Sequence, residues 1–309
     1  MTIPARRVQA YEATLVTLSP EHIERMHALA IAVGWSHRAE DLTQLLSLGE
    51  GVLAIDAIGR AIGSAMWFRM GTDMASIGMV MTVPPLQASG VGRWLTETAL
   101  DALGDRKIRL VATRPAYHLD YSLGFRPVAT VARYQGHLTP GTVCLPPPEG
   151  VTIRALMPAD IAALVSFDAH ANGGSRRLKL EGIVSVSRGM VAERGGTLVG
   201  FGLCRAYGRG RFIGPLEACD ETVAAALLSA LIATEPEGFL RVDLLHAEEM
   251  APPARLSALT EAAGLVQAET YTLMSLRAPA PVLHSTLHGA LPEAADEPVM
   301  YAVMSQSLA

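Results

Sequence analysis

Two glycines at a predicted strand–helix junction are the residues whose spacing best suits ligand chemistry. They lie in a segment that reads Gln87-Ala88-Ser89-Gly90-Val91-Gly92-Arg93. Because glycine lacks Cβ, positions 90 and 92 permit positive φ angles and let a ligand approach the backbone closely. The unpaired N–H groups at the start of the following helix, together with the helix dipole, favour an anion there. A pyrophosphate is the simplest such anion.

The elements around this turn are those needed to position it. A strand is predicted for residues 75–83, and Val91, Leu95 and Ala99 recur at the spacing of a helix over residues 91–103. Upstream, the sequence predicts a strand, two helices and a hairpin. Downstream, it predicts a strand at 108–113, a short helix near 117–123 and a further strand up to residue 134. This order indicates a mixed α/β or α+β domain.

A proline-rich segment divides the chain into two parts. Prolines 146–148 are consecutive and should be stiff and extended. We therefore expect a first domain at 1–138, a linker at 139–150 and a second domain at 151–309. Short motifs of the first domain recur 137 to 140 positions later, as Gly63 and Gly124 do at Gly200 and Gly264. Such a repeat predicts an internal duplication.

The second copy differs where a ligand would bind. Its strand–helix junction has no Gln-x-x-Gly-x-Gly pattern and carries Glu217, Asp220 and Glu221 instead. Carboxylates at a helix N-terminus satisfy the helix dipole themselves. We therefore expect the second domain not to bind a pyrophosphate in this way.

The glycine turn resembles the acetyl-CoA pyrophosphate loop of the GNAT N-acetyltransferase superfamily. The family pattern is Gln/Arg-x-x-Gly-x-Gly/Ala after a strand ending in Val-x-Pro, and Val83-Pro84 followed by residues 87–92 matches it. The element order, the duplication and the segment that ends in Leu123-Gly124-Phe125 are similar to a tandem GNAT subfamily with a degenerate second domain. The resemblance implies an α/β (α+β) fold of tandem GNAT-like domains, each a mixed, mostly antiparallel sheet flanked by helices.

The resemblance also implies which residues bind acetyl-CoA, the expected co-substrate. In the family, the strand before the turn binds the pantetheine through its backbone, and one backbone N–H stabilises the oxyanion of the reacting thioester. The implied cofactor-binding residues are Met81, Thr82, Val83, Gln87, Ala88, Ser89, Gly90, Val91, Gly92 and Arg93.

The catalytic acid is expected near the end of the short helix. The family usually has a tyrosine four residues before the glycine of Leu-Gly-Phe, but here that position is Asp120 and Tyr121 follows it. Chemistry favours Tyr121, because a phenol and an alkyl thiol have similar pKa values and an ordinary carboxyl is ionised at neutral pH. Spacing favours Asp120, because one residue on a helix rotates a side chain by about 100°. We therefore expect Tyr121 to be the acid, with Asp120 as the alternative. Two further possibilities are that Tyr117 in the same helix is the acid and that the reaction uses none.

The acceptor side is less defined by sequence. Trp35 is predicted to line the acceptor pocket, with packing on its own helix as the alternative. Residues 74–83 contain no carboxylate, although Glu40, Asp41 and Asp73 flank the expected acceptor cleft. A water relay would also suffice as the base, because a bound amine need only be shifted modestly toward its neutral form.

Composition limits the remaining functional classes. The net charge of −5 argues against a general nucleic-acid binder, and no apolar run approaches the ~20 residues of a membrane span. Cys144, Cys204 and Cys219 lack metal-ligand spacing and cannot all pair, so we expect a cytoplasmic protein without a metal site.

The sequence thus predicts an N-acetyltransferase that transfers an acetyl group from acetyl-CoA to a primary amine of a small molecule or peptide. Alternatives are a non-catalytic acyl-CoA-binding sensor and a tandem-domain binding protein. The expected partner is the amine acceptor, without nucleic acid or membrane, and homodimer formation is left open.

Overall fold

The structure is a computed structural model of the chain, and it describes residues 3–8, 11–139, 141, 145–235, 237–248, 250–283 and 297–308. Within these ranges no helix has the length and apolar character needed to cross a membrane. The helices are α1 Ile23–Ala32, α2 Ala39–Leu48, α3 Val91–Leu103, α4 Tyr117–Ser122, α5 Ile161–Ala171, α6 Arg177–Val184, α7 Glu221–Ala233 and α8 Ala254–Ala262. The strands are β1 Ile3–Val8, β2 Tyr11–Thr17, β3 Glu50–Asp56, β4 Ala61–Met70, β5 Met74–Thr82, β6 Lys107–Ala112, β7 Arg126–His137, β8 Val151–Ala155, β9 Ser187–Arg194, β10 Thr197–Tyr207, β11 Gly210–Ala218, β12 Phe239–His246, β13 Val266–Leu276 and β14 Val299–Ala302.

The strands form one continuous sheet across both halves. Their order is β1-β2-β3-β4-β5-β6-β13-β7-β12-β14-β11-β10-β9-β8. Neighbouring strands are antiparallel except for β5 with β6 and β11 with β12, which are parallel. The predicted fold class, two mixed and mostly antiparallel sheets flanked by helices, is confirmed, and the structure adds that the two sheets are joined.

The last long strands of the two halves are exchanged at the centre of this sheet. Strand β13 of the second half lies between β6 and β7, and β7 of the first half lies between β13 and β12. In the antiparallel pairing of β7 with β13, Val131 lies opposite Tyr271, which is 140 positions later. This offset matches the sequence repeat, so the two halves are related by an approximate two-fold axis near that pair.

Helices cover both faces of the sheet, and successive side chains of each strand point to opposite faces. On β4, Met66 and Phe68 share a core with α1, whereas Ala65 and Trp67 share one with α3. We call the α1 side, which α2, α5 and α6 also cover, the inner face, and the α3 side the outer face. Helix α3 packs closely because Gly63 is opposite it: a Cβ there would lie 2.8 Å from a Leu95 methyl.

The predicted domain boundary falls between β7 and β8. Strand β7 ends at His137 and β8 begins at Val151. Because the sheet is continuous and its central strands are exchanged, the division at 1–138 and 151–309 stays a prediction about the sequence repeat. Cys144 lies outside the described residues, and Cys204 and Cys219 are buried and form no disulfide within the described part of the chain.

Candidate functional site

The glycine turn has a positive φ at Gly90, as the sequence suggests, whereas Gly92 lies within α3 and has none. Gly90 has φ 96° and is the N-cap of α3, with no side chain capping the helix. Ala88 also has a positive φ, 62°. The turn is held by two side chains: Ser89 Oγ donates to the Leu86 carbonyl at 2.5 Å, and Gln87 Nε2 donates to the Thr82 carbonyl at 3.3 Å.

The space in front of this turn is open. A Cβ built on Gly90 would meet no atom within 4 Å. A Cβ on Gly92 would lie 3.5 Å from Leu119 of α4, and Arg93 donates to Ser122 Oγ of α4 at 2.7 Å. The first N–H groups of α3, at positions 91–93, have no intrahelical acceptor by geometry. They therefore leave unpaired backbone donors at the start of α3, beside Leu119 and Ser122 of α4.

A cleft leads from this turn into the sheet. Strands β5 and β6 are paired from Met74–Lys107 to Ile77–Leu110 and diverge beyond that point. The divergence begins beside Met79, whose φ is 52°. On the β4 side, the Val83 N–H donates to the Ile62 carbonyl, so it is already bonded. Because successive N–H groups of a strand point to opposite edges, the Thr82 N–H faces the cleft.

The two candidate acids have different surroundings on α4. Asp120 is 5% exposed, and no described residue hydrogen-bonds its carboxyl, whose pKa burial raises from 3.8 to about 7. Tyr121 is 46% exposed, and its ring lies 4.2 Å below the guanidinium of Arg126 and stacks on Tyr117. The one-residue shift therefore separates a buried, partly protonated carboxyl from a phenol on the surface.

Trp35 lies in the loop between α1 and α2, which contacts the second half. In the same loop, His37 Nε2 lies 2.7 Å from the Tyr207 hydroxyl. Burial lowers the pKa of His37 to about 4. The Gly208 N–H donates to the Asp41 carboxylate at 2.8 Å. Trp35 itself is half-buried against the core, 5.7 Å from the His37 ring. No described contact brings Trp35 to the glycine turn.

The equivalent site of the second half is closed by its own chain. Asp220 caps α7 by accepting the Val223 N–H at 2.9 Å, and Glu221 accepts the Arg255 N–H at 2.7 Å. Strands β11 and β12 diverge after Ile213–Val242, as β5 and β6 do. Strand β14 fills this second cleft and pairs with both β11 and β12.

The C-terminal segment also reaches the first half, which the sequence does not indicate. The Ser76 hydroxyl of β5 donates to the Ser307 carbonyl at 2.7 Å, and Arg205 of β10 donates to the Met304 carbonyl at 2.7 Å. A Cβ on Gly78 would lie 2.6 Å from Ser307. Met304 and Ser307 are three residues apart, which is about 10 Å of extended chain at most. The sheet must therefore curl to bring β5 and β10, which these two residues contact, so close together.

Comparisons with known proteins give a matching family model and several solved structures with a similar fold. Residues 164–289 match a family model described as an acetyltransferase (GNAT) domain. This match covers the second half, whereas the glycine turn lies in the first. No significant match was found among curated proteins.

Among the described residues, no group of three or more His, Cys, Asp or Glu side chains could hold a metal ion.

Solved structures with this fold include three that span most of the chain. One is a protein assigned as an acetyltransferase from Pyrococcus horikoshii, with a TM-score of 0.70 and 20% identity over 96% of each chain. A GCN5-related N-acetyltransferase from Sphaerobacter thermophilus has a TM-score of 0.66 and 17% identity, covering 86% of this chain and 96% of its own. A tandem GNAT protein from the clavulanic acid biosynthesis pathway has a TM-score of 0.61 and 15% identity, covering 87% of this chain and 100% of its own.

Proposed function

We propose that the first half of the chain transfers an acetyl group from acetyl-CoA to a primary amine of a small molecule or peptide. Residues 164–289 match a GNAT acetyltransferase domain model, and the chain has the fold of a tandem GNAT protein, which supports acyl transfer. The acceptor class comes from the family resemblance and the open cleft. A cytoplasmic location is part of the same proposal, as is the absence of nucleic-acid and membrane partners.

The observation that carries this proposal is the contrast between the two helix starts. In the first half, helix α3 begins at a glycine in the left-handed conformation, has no side-chain cap and faces open space. The equivalent helix of the second half, α7, is capped by Asp220. A pyrophosphate binds where backbone N–H groups are unpaired, so the first half alone suits it. Residues 87–93 would hold the pyrophosphate, and the backbone of Met81 and Thr82 would line the pantetheine path.

The chemistry of transfer needs a donor at the oxyanion and a proton for the leaving thiolate. The Thr82 N–H, which faces the cleft, is our candidate for the oxyanion donor. For the thiolate we propose Asp120, because its carboxyl has the family position and burial raises its pKa to about 7, so a large fraction of it is protonated at neutral pH. Tyr121 is the alternative acid.

Binding of acetyl-CoA tests the loop assignment. Gly90→Val adds a β-branched side chain at φ 96° and places it in the open space of the turn. We expect acetyl-CoA affinity to fall at least tenfold in isothermal titration calorimetry, because the side chain blocks phosphate approach and strains the backbone. Parent protein should bind one acetyl-CoA per chain.

Gly59→Val is the matched control for strain. Gly59 also has a positive φ, 82°, and open space around its Cβ position, but it lies in the β3–β4 turn. We expect this variant to bind acetyl-CoA like the parent. If Gly90→Val did so too, the loop assignment would be wrong. An assay of free thiol release with a panel of primary amines then separates an acetyltransferase from an acyl-CoA-binding sensor.

A further inference from the structure

The exchanged strand β13 places side chains of the second half beside the first-half cleft. Strand β6 ends at Ala112, opposite Thr272, whereas β13 continues to Val266 while paired with β7. Within the described part of the chain, the β6-facing edge of β13 from Val266 to Tyr271 therefore has no strand partner. This edge borders the space into which β5 and β6 diverge.

Two side chains from this edge lie on the inner face of the sheet. Tyr271 packs with the inner-face cluster that contains Val131 and Leu273, and Glu269 is two residues away on the same side. Tyr271 is the first residue of β13 beyond the end of β6. Neighbouring strands are about 4.8 Å apart, so Tyr271 lies roughly one strand spacing from the line of β6, just beyond the end of that strand.

Arg133 of β7 holds the two side chains together. Its guanidinium carbon lies 4.5 Å from the centre of the Tyr271 ring, and its Nη1 donates to Glu269 Oε2 at 2.5 Å. The Tyr271 hydroxyl also donates to Glu269. The Glu269 side chain is nevertheless 55% exposed, whereas that of Arg133 is 14% exposed. The carboxylate is thus fixed on one side and accessible on the other.

We propose that Glu269 binds the ammonium group of the acceptor and takes its proton, with Arg133 and Tyr271 as positioning residues. The second half would then supply the base for the reaction of the first half through strand exchange. This inference rests on the proposed function, and it places the base on β13 instead of on the strand before the glycine turn.

The proton balance assigns one step to each carboxyl. Glu269 accepts a proton from the ammonium, and the nitrogen lone pair forms a bond to the thioester carbonyl carbon. The carbon–sulfur bond breaks, and Asp120 donates its proton to the thiolate. Asp120 is reprotonated by the second proton that the nitrogen loses, and Glu269 releases its proton to solvent. Burial raises the pKa of Tyr271, so its hydroxyl stays protonated and acts as a donor.

Two charged or titratable groups contact Glu269, and three more interact with those two. Arg133 and Tyr271 contact it directly. Arg133 Nε also lies 3.6 Å from Asp243 Oδ1 of β12. The positive charge of Arg241 on β12 opposes the rise in the pKa of Tyr271, and that of Arg133 helps to lower the pKa of His37. Of these, His37 has its pKa lowered to about 4, so it is neutral in the range where the reaction would be measured.

The test is the pH dependence of kcat/KM for Glu269→Gln with phenethylamine, cadaverine and L-lysine as probe amines. We expect a ten- to hundredfold loss near neutral pH, the size expected for one general base. The loss should shrink as pH rises toward the pKa of the amine, because the amine then arrives already neutral. A purely structural defect would lower the rate equally at every pH.

Controls separate this inference from the proposed function. Acetyl-CoA affinity of Glu269→Gln should equal that of the parent, and Glu261→Gln on the exposed surface of α8 should leave the pH profile unchanged. Tyr271→Phe keeps the ring over Arg133 and should give a smaller loss. A parent-like profile in Glu269→Gln, or a loss that is uniform with pH, overturns this inference alone. A parent that binds acetyl-CoA but acetylates no probe overturns the proposed function and this inference with it.

Discussion

At the scale of single residues, Asp120 is the position where burial changes the expected chemistry. A carboxyl with a pKa of about 7 can donate a proton at neutral pH. We expect Asp120→Asn to lower kcat on the order of ten- to a thousandfold with little change in acetyl-CoA affinity. Tyr121→Phe is the matched comparison, since it removes only an exposed hydroxyl. A large loss in Tyr121→Phe with parent-like activity in Asp120→Asn would move the role to the tyrosine.

The same carboxyl predicts a pH-dependent stability. Its pKa is raised in the folded protein, from 3.8 to about 7, so the folded state keeps a proton that the unfolded state loses. Its contribution therefore falls as pH rises from about 4 to about 7 and is constant above that. Asp120→Asn should be more stable than the parent near pH 8, by up to roughly 4 kcal/mol, and close to the parent near pH 4. Urea denaturation at the two pH values measures this, and an equal difference at both would contradict it.

At the scale of elements, β14 fills the gap between β11 and β12, the cleft of the second half. Met300 in this strand is 2% exposed and packs with the inner-face cluster around Val131. Met300→Ala should lower the free energy of unfolding by about 2–5 kcal/mol, because it leaves a cavity in a packed core. Val266→Ala, at a position 64% exposed, is the control and should change stability by less than about 0.5 kcal/mol. Equal effects in denaturant titrations would show that β14 is not packed as described.

At the scale of the whole molecule, strand exchange makes the two halves interdependent. Fragment 1–138 would lack β13 between β6 and β7, and the exposed strand edges would favour aggregation. By contrast, cutting the intact protein at a protease site inserted between Pro147 and Pro148 should leave both fragments associated. Size-exclusion chromatography under native conditions measures this, and separation of the fragments after cleavage would argue against the exchange.

The features that the sequence predicts are local ones. The glycine turn and helix α3 over Val91–Leu103 follow from residue types and spacing, because φ preferences and helical periodicity act over a few residues. The fold class of two mixed sheets came from the family resemblance. The repeat offset of about 140 positions also agrees with the pairing of Val131 with Tyr271. Of the three acids predicted at the second junction, Asp220 caps α7 and Glu221 is in its first turn, whereas Glu217 is buried in β11 and pairs with Arg176.

Only the tertiary structure decided which strand edges meet. Contacts between β13 and β6, between β14 and the second cleft, and between Ser76 and Ser307 join residues far apart in sequence. No local pattern encodes such pairings, because they depend on which apolar faces and open edges remain once neighbouring elements have packed. The burial of Asp120 and the position of Glu269 beside the first-half cleft depend on the same long-range packing. The sequence therefore determined the glycine turn, whereas the fold determined what surrounds it.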